Sequence, residues 1–369
     1  MTGYAAMVDR EARPDLAVVL ITRNQSWNVS RLVRSVQERT AELATALVLV
    51  DSASSDDTVQ IARDLGLRVI ELDGSQRLTA AAGRLAGQQA SASEYLLFLD
   101  GDMELVDGWL EPALAALEQD ERIAGIAGQV IDLPLPDASG TPAPIGRVNS
   151  HQAAARSDMV EAPFVGGAAL YRRSALESVG SFDAGLYSEE EPELALRLRA
   201  AGYVLMMSGA PMVLHYTAPT DRLATTVARW RRNLFLGAGQ VVRKHLGRPT
   251  LWIWLRERGF WIPPVAALLF LLAALSTWSL TGRPTWTIVW IATMAAVVAG
   301  LSWRRRSLVG AAHTLLKRLV YLDGFIRGFF LYPVGTAASP GSDSHLSRPT
   351  SNEPPPREAN PKEASDGSL

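Results

Sequence analysis

The sequence predicts an α/β fold, a layered sheet with helices on its faces, followed by a pair of helices long enough to cross a membrane. Short apolar runs alternate with helical patterns through the first part of the chain, which is typical of a doubly wound sheet with parallel strands. Residues 96–99 are four bulky apolar side chains in succession, as expected for a strand that is buried on both faces. Farther along, two uncharged runs of about 20 residues match the length of a transmembrane helix.

The elements of the first half follow one another in regular alternation. Each predicted strand is a short apolar run bounded by polar residues, and we place them at residues 16–22, 46–50, 68–72 and 96–99. The helices between them are predicted at residues 30–42, 58–65 and 78–92. Residues 134–144 contain four prolines and are expected to form a loop within the same domain. Later strand-like segments occur at residues 203–208 and 211–214.

Charge divides the chain into two regions of opposite character. Residues 1–215 carry 30 acidic and 17 basic side chains, whereas residues 216–335 carry 3 acidic and 16 basic ones. The acidic first region argues against a nucleic-acid-binding surface, and the basic, tryptophan-rich second region indicates contact with a membrane. The sequence contains no cysteine, which excludes a disulfide framework, a thiolate metal site and a thiol nucleophile.

Two membrane spans are predicted at about residues 260–281 and 284–303, because neither run contains a charged side chain. The short turn between them contains one arginine, Arg283. Tryptophans lie near the ends of both runs, as interfacial anchors do. Basic residues precede and follow the pair, so the positive-inside rule places both ends in the cytoplasm. A buried helical hairpin of a soluble protein is the alternative. Residues 308–331 mix apolar and basic side chains, which predicts an amphipathic helix lying on the membrane surface.

The chain therefore divides into four predicted parts. Residues 1–15 form a tail, residues 16–250 the α/β domain and residues 251–335 the membrane region. Residues 336–369 are rich in proline, serine and glutamate and are expected to be disordered. The first thirty residues contain no basic segment followed by an apolar one, so we expect the α/β domain to stay on the cytoplasmic side of the inner membrane.

Carboxylates follow two of the predicted strands at the points where these strands leave the core. Asp100 and Asp102 lie two residues apart, so in an extended chain they point to the same side. Their hard oxygens suit Mg²⁺ or Mn²⁺ bridging phosphates, whereas a polar Asp-Gly turn is the alternative. Asp51 ends an earlier strand and can accept hydrogen bonds from a base or a ribose. The polar residues after it, Asp56 among them, are also good helix N-caps.

Five segments in order resemble the family 2 glycosyltransferases with the GT-A fold, whose sheet is Rossmann-like and mixed. They are VVLITRN at 18–24, VDSASSDDT at 50–58, LLFLDGDMEL at 96–105, FVGGAALYRR with VGSFD at 164–183, and SEEEPELALRLRAAGY at 188–203. The resemblance covers about residues 14–235. It implies transfer of a sugar from a nucleotide-diphosphate donor, with a divalent cation, Mg²⁺ or Mn²⁺, as cofactor.

The resemblance also implies roles for individual residues. Asp100 and Asp102 would form the DXD pair that holds the cation on the diphosphate. His215 stands where some metal-dependent members supply a third metal ligand, although a lone histidine is often structural. The residues implied in binding the nucleotide sugar are Thr22, Asn24, Asp51 and Asp100.

The family's catalytic base is the aspartate of a Glu-Asp pair, and here Glu191 occupies that position with Glu190 before it. Neighbouring glutamates repel one another, which raises at least one pKa. The alternative is an acidic first turn that only favours the helix dipole. Arg229 and Trp230 stand where processive members carry a Q-x-x-R-W motif, but Thr226 replaces the glutamine. The pair would contact the acceptor or a phosphate, or else anchor a basic surface at the membrane.

Together these features predict a membrane-anchored, inverting glycosyltransferase of cell-envelope polysaccharide biosynthesis. Its partners would be a nucleotide-diphosphate sugar, a glycan or polyprenol-linked acceptor, and the lipid bilayer. A polyprenol-phosphate glycosyltransferase is a second possibility, and a non-catalytic sugar-nucleotide-binding subunit of a membrane synthase is a third. The sequence contains neither a GxGxxG motif after the first strand nor a Walker loop, which argues against dinucleotide-dependent and ATP-hydrolysing enzymes.

Overall fold

A computed structural model describes residues 15–75, 78–135, 159–217 and 223–331. Within these ranges the chain forms a mixed nine-stranded sheet with helices packed on it, followed by a helical C-terminal region. The predicted tail at 336–369, nearly all of the tail at 1–15 and most of the proline-rich loop lie outside the described residues.

The predicted alternation of strands and helices in the first half agrees with the structure to within a few residues. The strands are β1 (Leu16–Thr22), β2 (Thr45–Asp51), β3 (Arg68–Glu71), β4 (Tyr95–Asp100), β5 (Met103–Leu105), β6 (Ile123–Pro134), β7 (Val160–Glu161), β8 (Ala169–Arg172) and β9 (Val204–Thr217). The helices of this part are α1 (Val29–Arg39), α2 (Thr58–Asp64), α3 (Ala80–Gln89), α4 (Leu110–Gln119), α5 (Arg173–Val179) and α6 (Glu190–Ala200). The two late strand-like segments are one continuous strand, β9.

The sheet has the order β3-β2-β1-β4-β8-β6-β9-β5, and β7 pairs with β9. The first four strands are parallel, whereas β8 runs antiparallel to both of its neighbours. In the parallel part Thr22 pairs with Asp51, and Ile21 pairs with Asp100. The polar residues that end these strands therefore lie along one edge of the sheet, where open α/β sheets bind ligands.

The C-terminal region is helical throughout its described part. Its helices are α7 (Leu223–Arg231), α8 (Gly237–Lys244), α9 (Thr250–Arg258), α10 (Ile262–Thr281), α11 (Thr285–Arg305) and α12 (Leu308–Phe330), with a 3₁₀ turn at Gly259–Trp261 between α9 and α10.

A second, smaller core joins this region to the α/β domain. Leu186 and Leu196, from the segment around α6, pack with Val241 of α8 and with Trp254 and Trp261. Apolar burial therefore continues across residue 250, where the sequence analysis places the domain boundary. The four-part division stays a prediction, and the two central parts share a packed contact.

Two helices are long and apolar enough to cross a membrane, judged by length and composition. One is α11, and the other is the continuous helical stretch Thr250–Thr281, which comprises α9, the 3₁₀ turn and α10. Very few residues of either are buried by the rest of the chain. Leu280 is 85% exposed and Ile288 is 58% exposed. A core helix of a soluble domain would bury such side chains. The two helices contact each other, and the Trp290 indole donates a hydrogen bond to the carbonyl of Ala267 at 2.9 Å.

The last helix, α12, lies against α8 with the two backbones in contact. A Cβ atom added at Gly239 would lie 2.1 Å from the carbonyl oxygen of Phe325, and one added at Gly328 would lie 2.1 Å from that of Leu236. Real Cβ atoms do not approach other atoms so closely, so only glycine fits at these positions.

Candidate active site

The loops after β1 and β2 are tied together at the sheet edge. The Thr22 hydroxyl donates to Asp51 at 3.2 Å, and the backbone N–H of Ser54 donates to the other Asp51 oxygen at 2.7 Å. Asn24, at a φ of 54°, donates its own N–H to the Ser54 hydroxyl at 2.7 Å and accepts from the Ser55 N–H at 2.8 Å. Asp51 is almost completely buried. The three residues predicted to bind the nucleoside therefore form one hydrogen-bonded floor.

Asp56 belongs to the same loops, but its contacts are those of a residue that caps a helix, as its position in the sequence also allows. One of its carboxylate oxygens accepts from the backbone N–H of Thr58 at 3.1 Å, close to the start of α2. The other accepts from the backbone N–H of Ser26 at 3.0 Å. The side chain thus satisfies donors at the beginning of α2 and in the neighbouring loop.

Three carboxylates of the predicted site meet on one buried arginine. The Arg84 guanidinium, on α3, pairs with Glu190 at 2.9 Å, with Asp100 at 3.1 Å and with Glu191 at 3.3 Å. Only 1% of Arg84 is exposed. One cation faces three carboxylates, so the cluster carries excess negative charge when all three are ionised. Arg84 could not be recognised from the sequence, because nothing marks this residue within an alanine-rich helix.

This imbalance changes the acidity of the cluster. Burial raises the pKa of Glu191 to about 7, the charge of Glu190 acts in the same direction, and Arg84 opposes both. Burial also raises the pKa of Asp100, again against the attraction of Arg84. A carboxylate with a pKa close to neutral is suited to accept a proton during a reaction. Glu191 therefore has the acidity that a general base needs, and its catalytic role stays a prediction.

The N-terminus of α6 has no side-chain cap. Glu189 stands at the N-cap position with a left-handed φ of 64°, and its side chain makes no capping hydrogen bond. Its carboxylate instead accepts from the Nε of Arg258, at 2.9 Å, so it is held by α9. Dipole stabilisation alone does not explain why the two glutamates that follow turn towards Arg84.

Asp102 and His215 are brought together by strand pairing. β5 pairs with β9 so that Met103 lies opposite His215, and the His215 Nε2 lies 3.6 Å from an Asp102 oxygen. The other ring nitrogen lies 2.8 Å from a carboxylate oxygen of Asp132, which is opposite His215 on β6. Burial opposes protonation of the ring, but the two carboxylates outweigh it and raise the pKa of His215 to about 9. Asp132 could not be recognised from the sequence, because the sequence pattern does not predict β6.

The residues predicted to hold a cation are near one another but do not surround one point. Within the described part of the chain, no group of three or more His, Asp or Glu side chains is arranged around a single metal position. Asp102 faces His215, whereas the Asp100 carboxylate points to Arg84. Two carboxylates and an imidazole are nevertheless donors that suit Mn²⁺ or Mg²⁺. The chemistry of this donor set fits such an ion, and the three-ligand set stays a prediction.

A cavity of about 800 Å³ opens in front of the carboxylate cluster. Asp100, Glu190 and Glu191 line one side, and Arg229 of α7 contributes to the basic side. Gly167 leaves room for two side chains of the cluster, since a Cβ atom at this position would lie 2.6 Å from Arg84 and 2.8 Å from Asp100. The cavity therefore combines a group that could accept a proton with arginines that could contact phosphate.

Arg229 and Trp230 point in different directions. Arg229 lines the cavity, as its predicted contact with phosphate or acceptor requires. The indole N–H of Trp230 donates to Asp323 of α12 at 2.7 Å, and 39% of Trp230 is exposed. Trp230 thus links α7 to α12, and its predicted contact with an acceptor stays a prediction.

Most of the α/β domain matches a known protein family. Residues 17–180 match the family described as Glycosyl transferase family 2. Among curated proteins, the chain is 25% identical over 229 residues to polypeptide N-acetylgalactosaminyltransferase 13 of Rattus norvegicus, covering 55% of this chain and 41% of the relative. It is 26% identical over 208 residues to succinoglycan biosynthesis protein ExoA of Rhizobium meliloti (strain 1021), covering 54% of this chain and 62% of the relative. The chain thus spans less than two thirds of the length of these relatives.

The fold is shared with a solved glycosyltransferase. The structure of mannosyltransferase PcManGT from Pyrobaculum calidifontis, in complex with GDP-Man and Mn²⁺, is similar with a TM-score of 0.50 and 20% identity. The match covers 84% of this chain and 87% of the other. This likeness confirms the predicted GT-A fold, and the family match agrees with the predicted family over residues 17–180.

Proposed function

We propose that this chain, which carries a family 2 glycosyltransferase domain with the GT-A fold, is a membrane-anchored, inverting glycosyltransferase. It would move a sugar from a nucleotide-diphosphate donor to a hydroxyl group of a saccharide or a lipid-linked saccharide. The observation that carries this proposal is the cluster of Asp100, Glu190 and Glu191 around Arg84 at the wall of a large cavity. The relative ExoA, named as a succinoglycan biosynthesis protein, supports a role in cell-surface polysaccharide synthesis.

In the proposed reaction Glu191 accepts the proton of the acceptor hydroxyl. The acceptor oxygen forms a bond to the anomeric carbon of the donor sugar from the face opposite the diphosphate, whose bond to that carbon breaks. The nucleoside diphosphate leaves with the electron pair, and the anomeric configuration inverts. A cation bound by Asp100, Asp102 and His215 would neutralise charge on the diphosphate. The hydrogen-bonded floor of Thr22, Asn24 and Asp51, together with Asp100, would position the nucleotide sugar.

The raised pKa of Glu191 supports a hydroxyl acceptor over a lipid phosphate acceptor. A phosphate is already ionised and needs no base, so a polyprenol-phosphate glycosyltransferase has no use for a carboxylate tuned towards neutral pH. The two exposed apolar helices, with basic residues at both ends of the pair, support the membrane anchor and a cytoplasmic orientation of the domain.

Donor binding is the first test. The full chain, purified in detergent, is heated with UDP-, GDP- and dTDP-sugars in the presence of Mn²⁺ or EDTA. We expect one nucleotide to stabilise the protein only when the metal is present, by about 2.7 kcal/mol at a ligand concentration of 100 Kd. Binding that persists in EDTA would remove the metal role from Asp100 and Asp102.

Turnover separates the three candidate functions. We expect transfer to a saccharide acceptor to disappear in a Glu190→Gln, Glu191→Gln double variant that still binds the donor. Transfer to a polyprenyl phosphate that survives this double replacement would favour the polyprenol-phosphate enzyme. Donor binding without transfer to either acceptor class would favour the non-catalytic subunit.

A further inference from the structure

A second cavity lies outside the carboxylate site, between the end of α11 and one face of α12. Its volume is about 540 Å³. The residues that α12 contributes recur at intervals of three or four, so they form one stripe along the helix. They are Gly310, His313, Thr314, Lys317, Arg318 and Tyr321. Arg305, in the last turn of α11, and Phe260 also line the cavity. We call this cavity the basic pocket.

The basic pocket concentrates positive charge. Arg305, Lys317 and Arg318 line it, and among the lining residues in the described part of the chain there is no carboxylate. The single acidic residue of α12, Asp323, lies beyond the stripe and pairs with Arg327 at 3.1 Å. Like charges held close together repel, and an anion bound between them removes the repulsion. Guanidinium and ammonium groups in this arrangement are typical phosphate ligands.

Part of the pocket is held in place by neutral partners. The Arg318 guanidinium donates to the carbonyl oxygen of Phe260 at 2.6 Å. The Nε2 atom of His313 lies 3.3 Å from the Thr226 hydroxyl. These contacts orient the two side chains, and the carbonyl oxygen and the hydroxyl that make them carry no charge. An incoming anion therefore meets a positive site that is already partly ordered.

The position of the basic pocket indicates where the anion comes from. Arg305 lies at the end of the second apolar helix, two residues after Trp303, which is 86% exposed. An exposed tryptophan next to arginines at the end of an apolar helix is typical of the level of the lipid headgroups. Basic side chains at that level attract anionic lipids. A phosphate at the end of a lipid chain would reach the pocket from the bilayer.

The basic pocket adjoins the cavity of the proposed active site. Tyr321 lines both cavities, and its ring packs between Phe235 and Phe260 at centroid distances of 5.0 and 4.9 Å. A saccharide attached to a phosphate in the basic pocket would therefore extend past this aromatic wall towards the carboxylate cluster.

We propose that the basic pocket binds the phosphate or diphosphate group of the lipid that carries the acceptor saccharide. The pocket would hold the acceptor by its charged end, and the adjoining cavity would hold the sugar that reacts. This assignment of the bound lipid as acceptor rests on the proposed glycosyltransferase function, whereas the binding of a lipid phosphate does not.

Binding is measured on the full chain in a zwitterionic detergent, with three probes of matched chemistry. These are geranylgeranyl diphosphate, geranylgeraniol, which lacks the phosphates, and inorganic diphosphate, which lacks the lipid. We expect geranylgeranyl diphosphate to bind at least tenfold more tightly than either of the other two. Inorganic diphosphate that binds as tightly as the prenyl compound would overturn the lipid assignment, and equal binding of the alcohol would overturn the phosphate assignment.

Charge replacements locate the site. We expect Arg305→Gln, Lys317→Gln and Arg318→Gln each to weaken binding of geranylgeranyl diphosphate about fivefold to twentyfold while the protein stays folded. Arg318→Gln should also melt at a slightly lower temperature, because it loses the hydrogen bond to Phe260. Arg304→Gln is the matched control, because Arg304 lies in the same helical turn but does not line the pocket. Equal loss in Arg304→Gln would reduce the effect to general surface charge and would overturn the proposal.

Kinetic and binding readouts keep this proposal separate from the proposed function. In an active enzyme the three replacements should raise KM for a lipid-linked acceptor and leave KM for the nucleotide sugar unchanged. Glu191→Gln should retain binding of geranylgeranyl diphosphate. A chain that binds the prenyl diphosphate but transfers no sugar would overturn the function alone, and an active chain that binds no prenyl diphosphate would overturn the basic pocket alone.

Discussion

Helix α6 carries two buried clusters of charge that differ in balance. In the first, Glu190 and Glu191 share Arg84 with Asp100. In the second, Glu193 lies within hydrogen-bond distance of three cationic or ionisable partners. Its carboxylate is 2.8 Å from Arg197, 2.9 Å from Lys244 and 3.0 Å from His245. The two clusters begin only two residues apart on one helix.

The difference in charge balance shifts the pKa values of Glu191 and Glu193 in opposite directions. Burial disfavours ionisation of both. For Glu191 the neighbouring negative charge adds to this effect, and the pKa rises to about 7. For Glu193 the surrounding cations and hydrogen bonds outweigh burial and hold the pKa far below its usual range. An excess of carboxylates leaves a group ready to exchange a proton, whereas a carboxylate paired with both Arg197 and Lys244 keeps its charge and is structural.

The largest effect is expected from Glu191→Gln. The replacement removes the proposed base, so the rate of sugar transfer should fall by about 10² to 10⁴-fold. It also removes a charge that its neighbours repel, so the protein should melt at the same temperature as wild type or slightly higher. Transfer assays and thermal melts of the purified variant test both parts. Wild-type transfer with Gln at this position would exclude Glu191 as the base.

Glu193→Gln should show the opposite pattern. It breaks the buried pairs of Glu193 with Arg197 and Lys244, although Lys244 keeps its pair with Asp183 at 2.7 Å, and breaking a buried pair destabilises proteins by about 3–5 kcal/mol. The melting temperature should therefore fall clearly, while the folded fraction keeps its transfer rate, because Glu193 does not line the cavity. Loss of activity at an unchanged melting temperature would contradict the division between the two clusters.

Acid should weaken the second cluster in a predictable range. Because the pKa of Glu193 is lower in the folded than in the unfolded protein, its contribution to stability is complete above the unfolded value of about 4.3. The contribution is lost as the pH falls from there towards the folded value. Melting temperatures between pH 7 and pH 3 should show the wild type and Glu193→Gln converging at the acid end. A constant difference across this range would show that Glu193 does not titrate as described.

The smallest effect is expected at a contact outside both clusters. Trp230→Phe removes the hydrogen bond from the indole to Asp323 and should lower the free energy of unfolding by about 1–2 kcal/mol. KM for the acceptor should stay unchanged if Trp230 only links α7 to α12. Arg231→Gln, one residue farther along α7, provides a control for changes in surface charge. A raised acceptor KM in Trp230→Phe alone would assign the ring to acceptor binding.

The parts of the fold that follow from local pattern could be predicted from the sequence. The first four strands are apolar runs, and parallel pairing brings Asp51 and Asp100 to one edge. β6 could not be predicted in this way, because Gly125 and Gly128 break its apolar pattern. These glycines make room for the rings of Tyr171 and Trp109, which come from distant segments.

The same limit applies to the active site. The carboxylates stand in recognisable motifs, but their partners do not. Arg84 acquires its role only when folding brings it to Asp100, 16 residues away, and to Glu190, 106 residues away. Asp132 likewise reaches His215 only through the pairing of β6 with β9. The motifs identify the groups that carry charge, whereas the balance of charge around them depends on the tertiary structure.

The glycine contacts between α8 and α12 have a consequence for substrate choice. Backbones that touch at Gly239 and Gly328 leave no room for one helix to slide along the other. Lys244 and His245, at the end of α8, are bound to Glu193, so α12 is fixed through α8 to the helix that carries Glu191. If the proposed base and the proposed lipid-phosphate site are both correct, this fixed spacing would select acceptors by length. We then expect that an acceptor whose reactive hydroxyl lies one sugar nearer to its lipid anchor, or one farther from it, does not reach Glu191.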